Sequence, residues 1–219
     1  MKNIQKLVTA AFLFTAFQAT AELEFFFAED VSPWPVSGPN TVPRPSYPRS
    51  SEVASRFLAR LSGAATESFE SYPAGSHPTI LTFGTNTATL SGDYSLMTSA
   101  DTNIAVEGGF PITGTNYFGT GLASRDFLVS FSNPQSAFGF YGMDVEVNRF
   151  QIRILRPDSS TEVVPVPVTV PQGSGGVFYV GLIDKARPFT GIWFEALGGA
   201  AEGFVYDDMT IAVPEHLHL

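Results

Sequence analysis

Two adjacent aspartates, Asp207 and Asp208, stand in the stretch Gly203–Val213 (GFVYDDMTIAV), and two glutamates, Glu67 and Glu70, stand in the run Glu67-Ser68-Phe69-Glu70. If two such groups meet, they offer hard oxygen donors to calcium, which takes about six to eight oxygens from carboxylates and carbonyls. Phe204, Tyr206, Met209 and Ile211 place the aspartates in a strand. Neighbours on a strand face opposite sides, so one aspartate faces solvent or a loop and the other leans into the packed layer. A carboxylate there needs a cation, an arginine or several N–H donors. The expectation is a structural calcium ion pinning the last strand to the first. Glu70 and Asp208 are its first ligands, Glu67 and Asp207 the next, and Asp144 a further candidate. The competing reading is that these acids cap turns or pair with Arg56, Arg60 or Arg187.

Other chemistry finds little support. The chain has 3 histidines: His77 lies between Ser76 and Pro78 in a turn, and His216 and His218 lie at the C-terminal end. There is no G-x-S-x-G elbow and no histidine beside a Ser–acid pair. A glycosidase needs only two carboxylates, but no acid–base template is visible, so a non-catalytic role is expected. Gly114–Gly121 (GTNYFGTG) does not open a helix after a strand, so it reads as a loop and not a phosphate cradle. Its aromatics, Tyr117 and Phe118, are therefore the candidates for exposed ligand platforms. Tyr179 and Trp193 lie in alternating strands and are expected in the core.

Composition bounds what must hold these residues. Of 219 residues, 13% are aromatic and only 15% charged, with 20 Phe, 20 Gly and 16 Pro, which suits an all-β extracellular module. Cysteine is absent, which excludes disulfides, thiolate metal sites and cysteine nucleophiles. Residues 1–21 read as a signal peptide: Lys2 and Lys6, the apolar run Leu7–Phe17, then Ala19-Thr20-Ala21 before the expected cleavage at Glu22. Its loss takes two lysines and no acid from 12 basic and 21 acidic side chains, leaving a formal charge of −11. That charge argues against nucleic acid and anionic membranes, and no later run is long and apolar enough to span a bilayer.

Residues 22–50 hold six prolines and read as an extended arm, with Leu23–Phe27 able to add a short edge strand. Ser50–Leu61 reads as an amphipathic helix capped by Ser50 or Ser51, with Val53, Phe57, Leu58 and Leu61 on one face, packed against an end of the following module. From Ala65, strands are expected at 66–72, 79–83, 87–91, 94–97, 104–106, 126–132, 137–145, 149–156, 162–170, 177–183, 191–196 and 204–213, separated by turns. Phe150, Ile152 and Ile154 alternate inward. Pro165 and Pro167 mark an edge strand. The expected fold is a two-sheet, jelly-roll-like β-sandwich over residues 51–213 with one short N-terminal helix, followed by a tail at 214–219.

The segments FLARLSGAATESFESYPAG (57–75), SFSNPQSAFGFYGMDVE (130–146), FYVGLIDKARPFTGIWF (178–194) and GFVYDDMTI (203–211) resemble, in this order, a family of bacterial secreted proteins that often carry a PEP-CTERM sorting tail. The resemblance covers about residues 56–213. It implies a secreted jelly-roll-like domain associated with exopolysaccharide and biofilm matrix. Related carbohydrate-binding jelly rolls hold a structural calcium between first and last strands. The chain departs from the pattern after Val213-Pro214-Glu215, where His216-Leu217-His218-Leu219 replaces the apolar helix and basic cluster. The expected partners are extracellular polysaccharide or a second copy of the chain through the Pro-rich arm or sheet edges.

Overall fold

Alternation in the Phe150–Leu155 segment sets the pattern of the computed structural model: Phe150, Ile152 and Ile154 are buried, while Gln151, Arg153 and Leu155 are partly exposed. The structure describes residues 22–35, 46–92, 94–98, 109–120, 126–171, 174–197 and 204–212. In chain order these form β1 (Glu24–Pro35), α1 (Pro48–Leu58), β2 (Ala65–Glu67), β3 (Ile80–Phe83), β4 (Asn86–Gly92), β5 (Tyr94–Thr98) and β6 (Asn116–Thr120). There follow β7 (Phe127–Gln135), β8 (Ala137–Met143), β9 (Phe150–Leu155), β10 (Thr161–Pro165), β11 (Ser174–Ile183), β12 (Phe189–Ala196) and β13 (Val205–Ala212). The strand expected at 104–106, the signal peptide and the tail lie outside the described residues.

The strands make the expected antiparallel sandwich. One sheet runs β1-β11-β8-β13-β6-β5, with β2 also on β13; the other runs β10-β9-β12-β7-β4-β3. Between them lies an aromatic core of Phe118, Phe127, Phe140, Phe150, Phe178, Phe194 and Tyr206, with Phe127 and Phe194 stacked at 4.1 Å. Such ring pairs add to plain apolar burial. β10, which ends at Pro165, is an edge strand as expected. The first strand of the module does meet the last: Glu67 pairs with Met209, Thr66 with Thr210 and Ala65 with Ile211.

Three features differ from the sequence reading. The arm is not free: residues 24–35 form a strand along β11, from Glu24 opposite Ile183 to Val31 opposite Gly176. The short edge strand expected at Leu23–Phe27 is present and runs further than expected; Pro33 and Pro35 fall at its end, on the sheet's edge, where a missing N–H is tolerated. The helix begins earlier, at Pro48, and is not capped by Ser50 or Ser51. Its first-turn amides from Arg49 and Ser50 instead donate to the Asp30 carboxylate of β1, at 3.2 and 2.8 Å, which satisfies donors that a helix start leaves open.

The helix also lies on the outer face of the larger sheet, not at an end of the sandwich. Phe57 enters a slot made by Gly139 of β8 and Gly181 of β11, which are cross-strand partners. A Cβ at Gly181 would stand 2.5 Å from the Phe57 ring and one at Gly139 2.7 Å from it, so only glycine admits the ring. Phe57, Phe110, Tyr117, Tyr141, Val177 and Tyr179 form a second buried cluster there. Covered on both faces, β8 is buried along its whole length, as strands in doubly covered sheets are.

Candidate functional site

The carboxylates expected to meet do meet, around one loop. In β13 both Tyr206 and Met209 point into the inter-sheet core, so two residues separate inward positions where one should. The register with β8 shifts between Asp207 and Thr210, and Asp208 takes a positive φ of 49°. This bulge turns both aspartates onto Thr113, against the expected division between two faces. Asp207 Oδ2 accepts the amides of Ile112 (2.6 Å) and Thr113 (3.3 Å), and its Oδ1 accepts the amide of Asp208 (2.7 Å). Asp208 Oδ1 accepts the Thr113 hydroxyl (2.7 Å). Glu70 reaches the other end of the loop and accepts the amides of Thr115 (2.9 Å) and Asn116 (2.6 Å) and the Thr115 hydroxyl (3.1 Å). Burial, then the neighbouring Asp208 charge, push the Asp207 carboxyl well above its ordinary range. Burial and the Glu70 charge raise Asp208 as well.

The other two acids stand apart. Glu67 is buried and ties β2 to β3, accepting the amides of Phe69 (2.7 Å) and Thr82 (3.3 Å) and the hydroxyl of Tyr72 (3.3 Å). Asp144 lies three residues beyond Tyr141, the ladder partner of Asp207, roughly 10 Å along the strand. Of the arginines weighed as partners, Arg60 pairs with Glu24, and Arg187 with Glu162 and Asp184. The corner is thus a hydrogen-bonded clasp. Both oxygens of Asp207 and of Glu70 accept donors from the loop and its flanks, and Asp208 accepts one on Oδ1, so N–H and O–H donors hold the corner together. Among the described residues no group of three or more Asp, Glu, His or Cys is disposed to hold a metal.

Tyr117 and Phe118 are not loop platforms. They lie in β6, paired with β13 and β5, and are 1% and 0% exposed. Adjacent strand residues face opposite sides, and both sides of this sheet are covered, so Tyr117 packs in the cluster under the helix and Phe118 between the sheets.

The exposed aromatic is one expected in the core. Trp193 is 39% exposed, while Tyr179 is 2% exposed. On β12, Ile192 and Phe194 face inward, so Gly191, Trp193 and Glu195 share the outer face of the smaller sheet. Trp193 stands opposite Arg153 on β9 and opposite Leu128 on β7. Beside it, Arg153 Nε and Nη2 bind the two Glu195 oxygens at 2.6 and 3.1 Å, and Gln151 Nε2 binds Glu195 Oε2 at 2.6 Å. Burial alone would raise the Glu195 carboxyl, but the Arg153 and Gln151 hydrogen bonds outweigh it and hold the group below its ordinary value. On the other flank the Leu128 and Leu155 side chains close over Gly191, where a Cβ would stand 3.4 Å from each and 3.0 Å from the Val129 carbonyl oxygen. The result is one indole beside a flat, charge-balanced trio of polar side chains, on a sheet face otherwise made of small polar and aliphatic residues.

No protein-family model matches the chain, and no curated protein matches it significantly. Among solved structures, the K2 cleaved adhesin domain of Lys-gingipain aligns with 13% identity over 69% of this chain and 99% of that one, TM-score 0.43. A family 29 carbohydrate-binding module complexed with mannohexaose aligns with 12% identity over 68% and 89%, TM-score 0.39. The xylan-binding family 22 module of Paenibacillus barcinonensis aligns with 12% identity over 68% and 93%, TM-score 0.39.

Proposed function

We propose that the chain is an exported, non-catalytic β-sandwich that binds a neutral glycan on the outer face of the β10-β9-β12-β7-β4-β3 sheet. The observation that carries this reading is Trp193, an indole presented at the middle of a sheet face with Arg153, Glu195 and Gln151 beside it. A sugar ring has an apolar C–H face and hydroxyls at its rim. An exposed indole matches the first, and planar amide, carboxylate and guanidinium groups match the second. The Arg153 charge is cancelled by Glu195, so nothing on this patch favours a uronate over a neutral sugar. Export and an extracellular-matrix setting belong to the same proposal. Self-association through the Pro-rich arm or a sheet edge is the alternative proposal; residues 24–35 of the arm are paired with β11 and form an edge of the larger sheet.

Native electrophoresis through gels containing neutral or uronate polysaccharide tests the proposal. Retardation is expected in the neutral gels, and it should change little with salt, because no net charge is used. Glu195 is depressed, so the Arg153–Glu195 pair is intact above the ordinary carboxylate range and is lost as pH falls through the depressed value. Retardation should therefore be flat from about pH 8 to 5 and weaken below about pH 4. Retardation by the uronate alone, or binding that collapses in moderate salt, overturns the reading.

Calcium at the Glu70–Asp207–Asp208 corner is a separate proposal with its own measurement. The hydrogen-bonded clasp predicts the same melting temperature in EDTA and in excess calcium. A rise with calcium, lost on Asp208→Asn, would show that the ion binds the native state at this corner, because a ligand of the native state raises its stability.

A further inference from the structure

The bulge that fixes the clasp also opens a cleft of about 360 Å³ between α1 and the β2–β13 pair. Its walls carry the hydroxyls of Thr66, Ser68 and Thr113, the Asp208 carboxylate, the Tyr141 ring and, on the helix side, Leu58. Leu58 is a large apolar residue left 43% exposed. Among the described residues no lysine or arginine lines the cleft. Thr66 and Thr210 share a hydrogen bond of 2.7 Å at its base. Asp208 accepts one side-chain donor, Thr113, on Oδ1, and is among the residues that line the cleft.

A second, independent observation points the same way. Tyr179 is 2% exposed, yet among the described residues its hydroxyl has no hydrogen-bond partner. That hydroxyl stands over Gly139, whose ladder partner on β13 is Thr210, a residue of the cleft. It also feels the Asp208 charge. A buried orphan phenol is uncommon; Tyr179 lies behind the cleft lining, beside Thr210 and Tyr141, where a water or a ligand hydroxyl entering past Thr210 would complete it.

We infer that this cleft is a second ligand site, for a small molecule rich in hydroxyl or ammonium donors and bearing no negative charge: a single sugar unit, neutral or amine-substituted. The surrounding hydroxyls both donate and accept, the carboxylate takes a diol or an ammonium, and Leu58 and Tyr141 cover an apolar ring face. Asp208 and nearby Glu70 exclude an anionic sugar. This site does not depend on the Trp193 face, which lies on the other sheet.

Amide chemical-shift titration of the full chain with glucose, glucosamine and glucuronate tests it. Glucose, glucosamine or both are expected to move the amides of Thr66, Ser68, Thr113 and Asp208, glucuronate to leave them in place, and Trp193→Ala to change nothing. Ser68→Tyr and, separately, Leu58→Trp fill the cleft from its two walls and should each weaken the response at least tenfold. Either folded variant suffices, and their spectra report folding directly. Absence of response to both glucose and glucosamine, an equal response to glucuronate, or a response that survives the filled cleft overturns the inference.

Discussion

Trp193→Ala abolishes retention on neutral polysaccharide and leaves the melting temperature within a few degrees of the wild type. The ring stands on the outer face, and its strand neighbours Ile192 and Phe194 supply the core contacts, so truncation opens no cavity between the sheets. Exposed aromatic anchors are also where binding energy concentrates: removing one costs about 2 kcal/mol or more, roughly thirtyfold or more in affinity. Arg153→Ala loses less, because Gln151 still holds Glu195, but it frees the Glu195 charge. A Trp193→Ala protein that binds as tightly as the wild type would remove this face from consideration. Loss of binding together with loss of the fold would return Trp193 to the structural residues.

Phe57→Ala has the largest expected effect on stability. Its ring is fully buried in the slot over Gly139 and Gly181, edge-on to Phe26 at 5.7 Å and beside Tyr179 at 5.7 Å. The bare glycines leave nothing to collapse into the hole. A loss of about 3–5 kcal/mol is expected, a fall in melting temperature on the order of 10 °C. The amides of α1 and β1 should exchange faster than those of β8 and β9, because Phe57 is the main tie between the helix and the sheet. Uniform exchange would show that helix and sandwich open together. A loss under about 1 kcal/mol would contradict the slot.

Much of this architecture was legible in the residues. Alternation in Phe150–Leu155, the edge proline Pro165 and the apolar pattern around Asp207 pointed to the right strands, and the meeting of first and last strands followed. What escaped was set by packing between segments far apart. The start of β1 was readable at Leu23–Phe27, but proline composition masked its extension to Pro35, because its pairing partner, β11, lies about 150 residues away in the chain. Tyr117 and Phe118 looked like loop residues because glycines flank them, and only the two coverings of their sheet bury both. The bulge at Asp207–Asp208 has no composition signal, so the strand period assigned those side chains to opposite faces.

Trp193 is the instructive case. Its size argued for the core, yet its parity was readable: Gly191 and Glu195, two residues on either side, belong on an outer face, and Ile192 and Phe194 belong inside. Period-two patterning outranked residue type here. The same reading separates the roles of the acids. Glu67, Glu70 and Asp207 spend their oxygens on backbone amides and shape the module, while Glu195 is held by side chains on an open face where a ligand can share it.

The most direct test is a side-chain and amide chemical-shift map recorded while a neutral oligosaccharide is titrated into the full chain. The indole N–H of Trp193 and the side-chain resonances of Arg153 and Gln151 are predicted to move together and saturate at one affinity. Saturating binding that leaves the Trp193 indole unmoved would contradict the proposed face, as would the absence of binding to every neutral oligosaccharide tried.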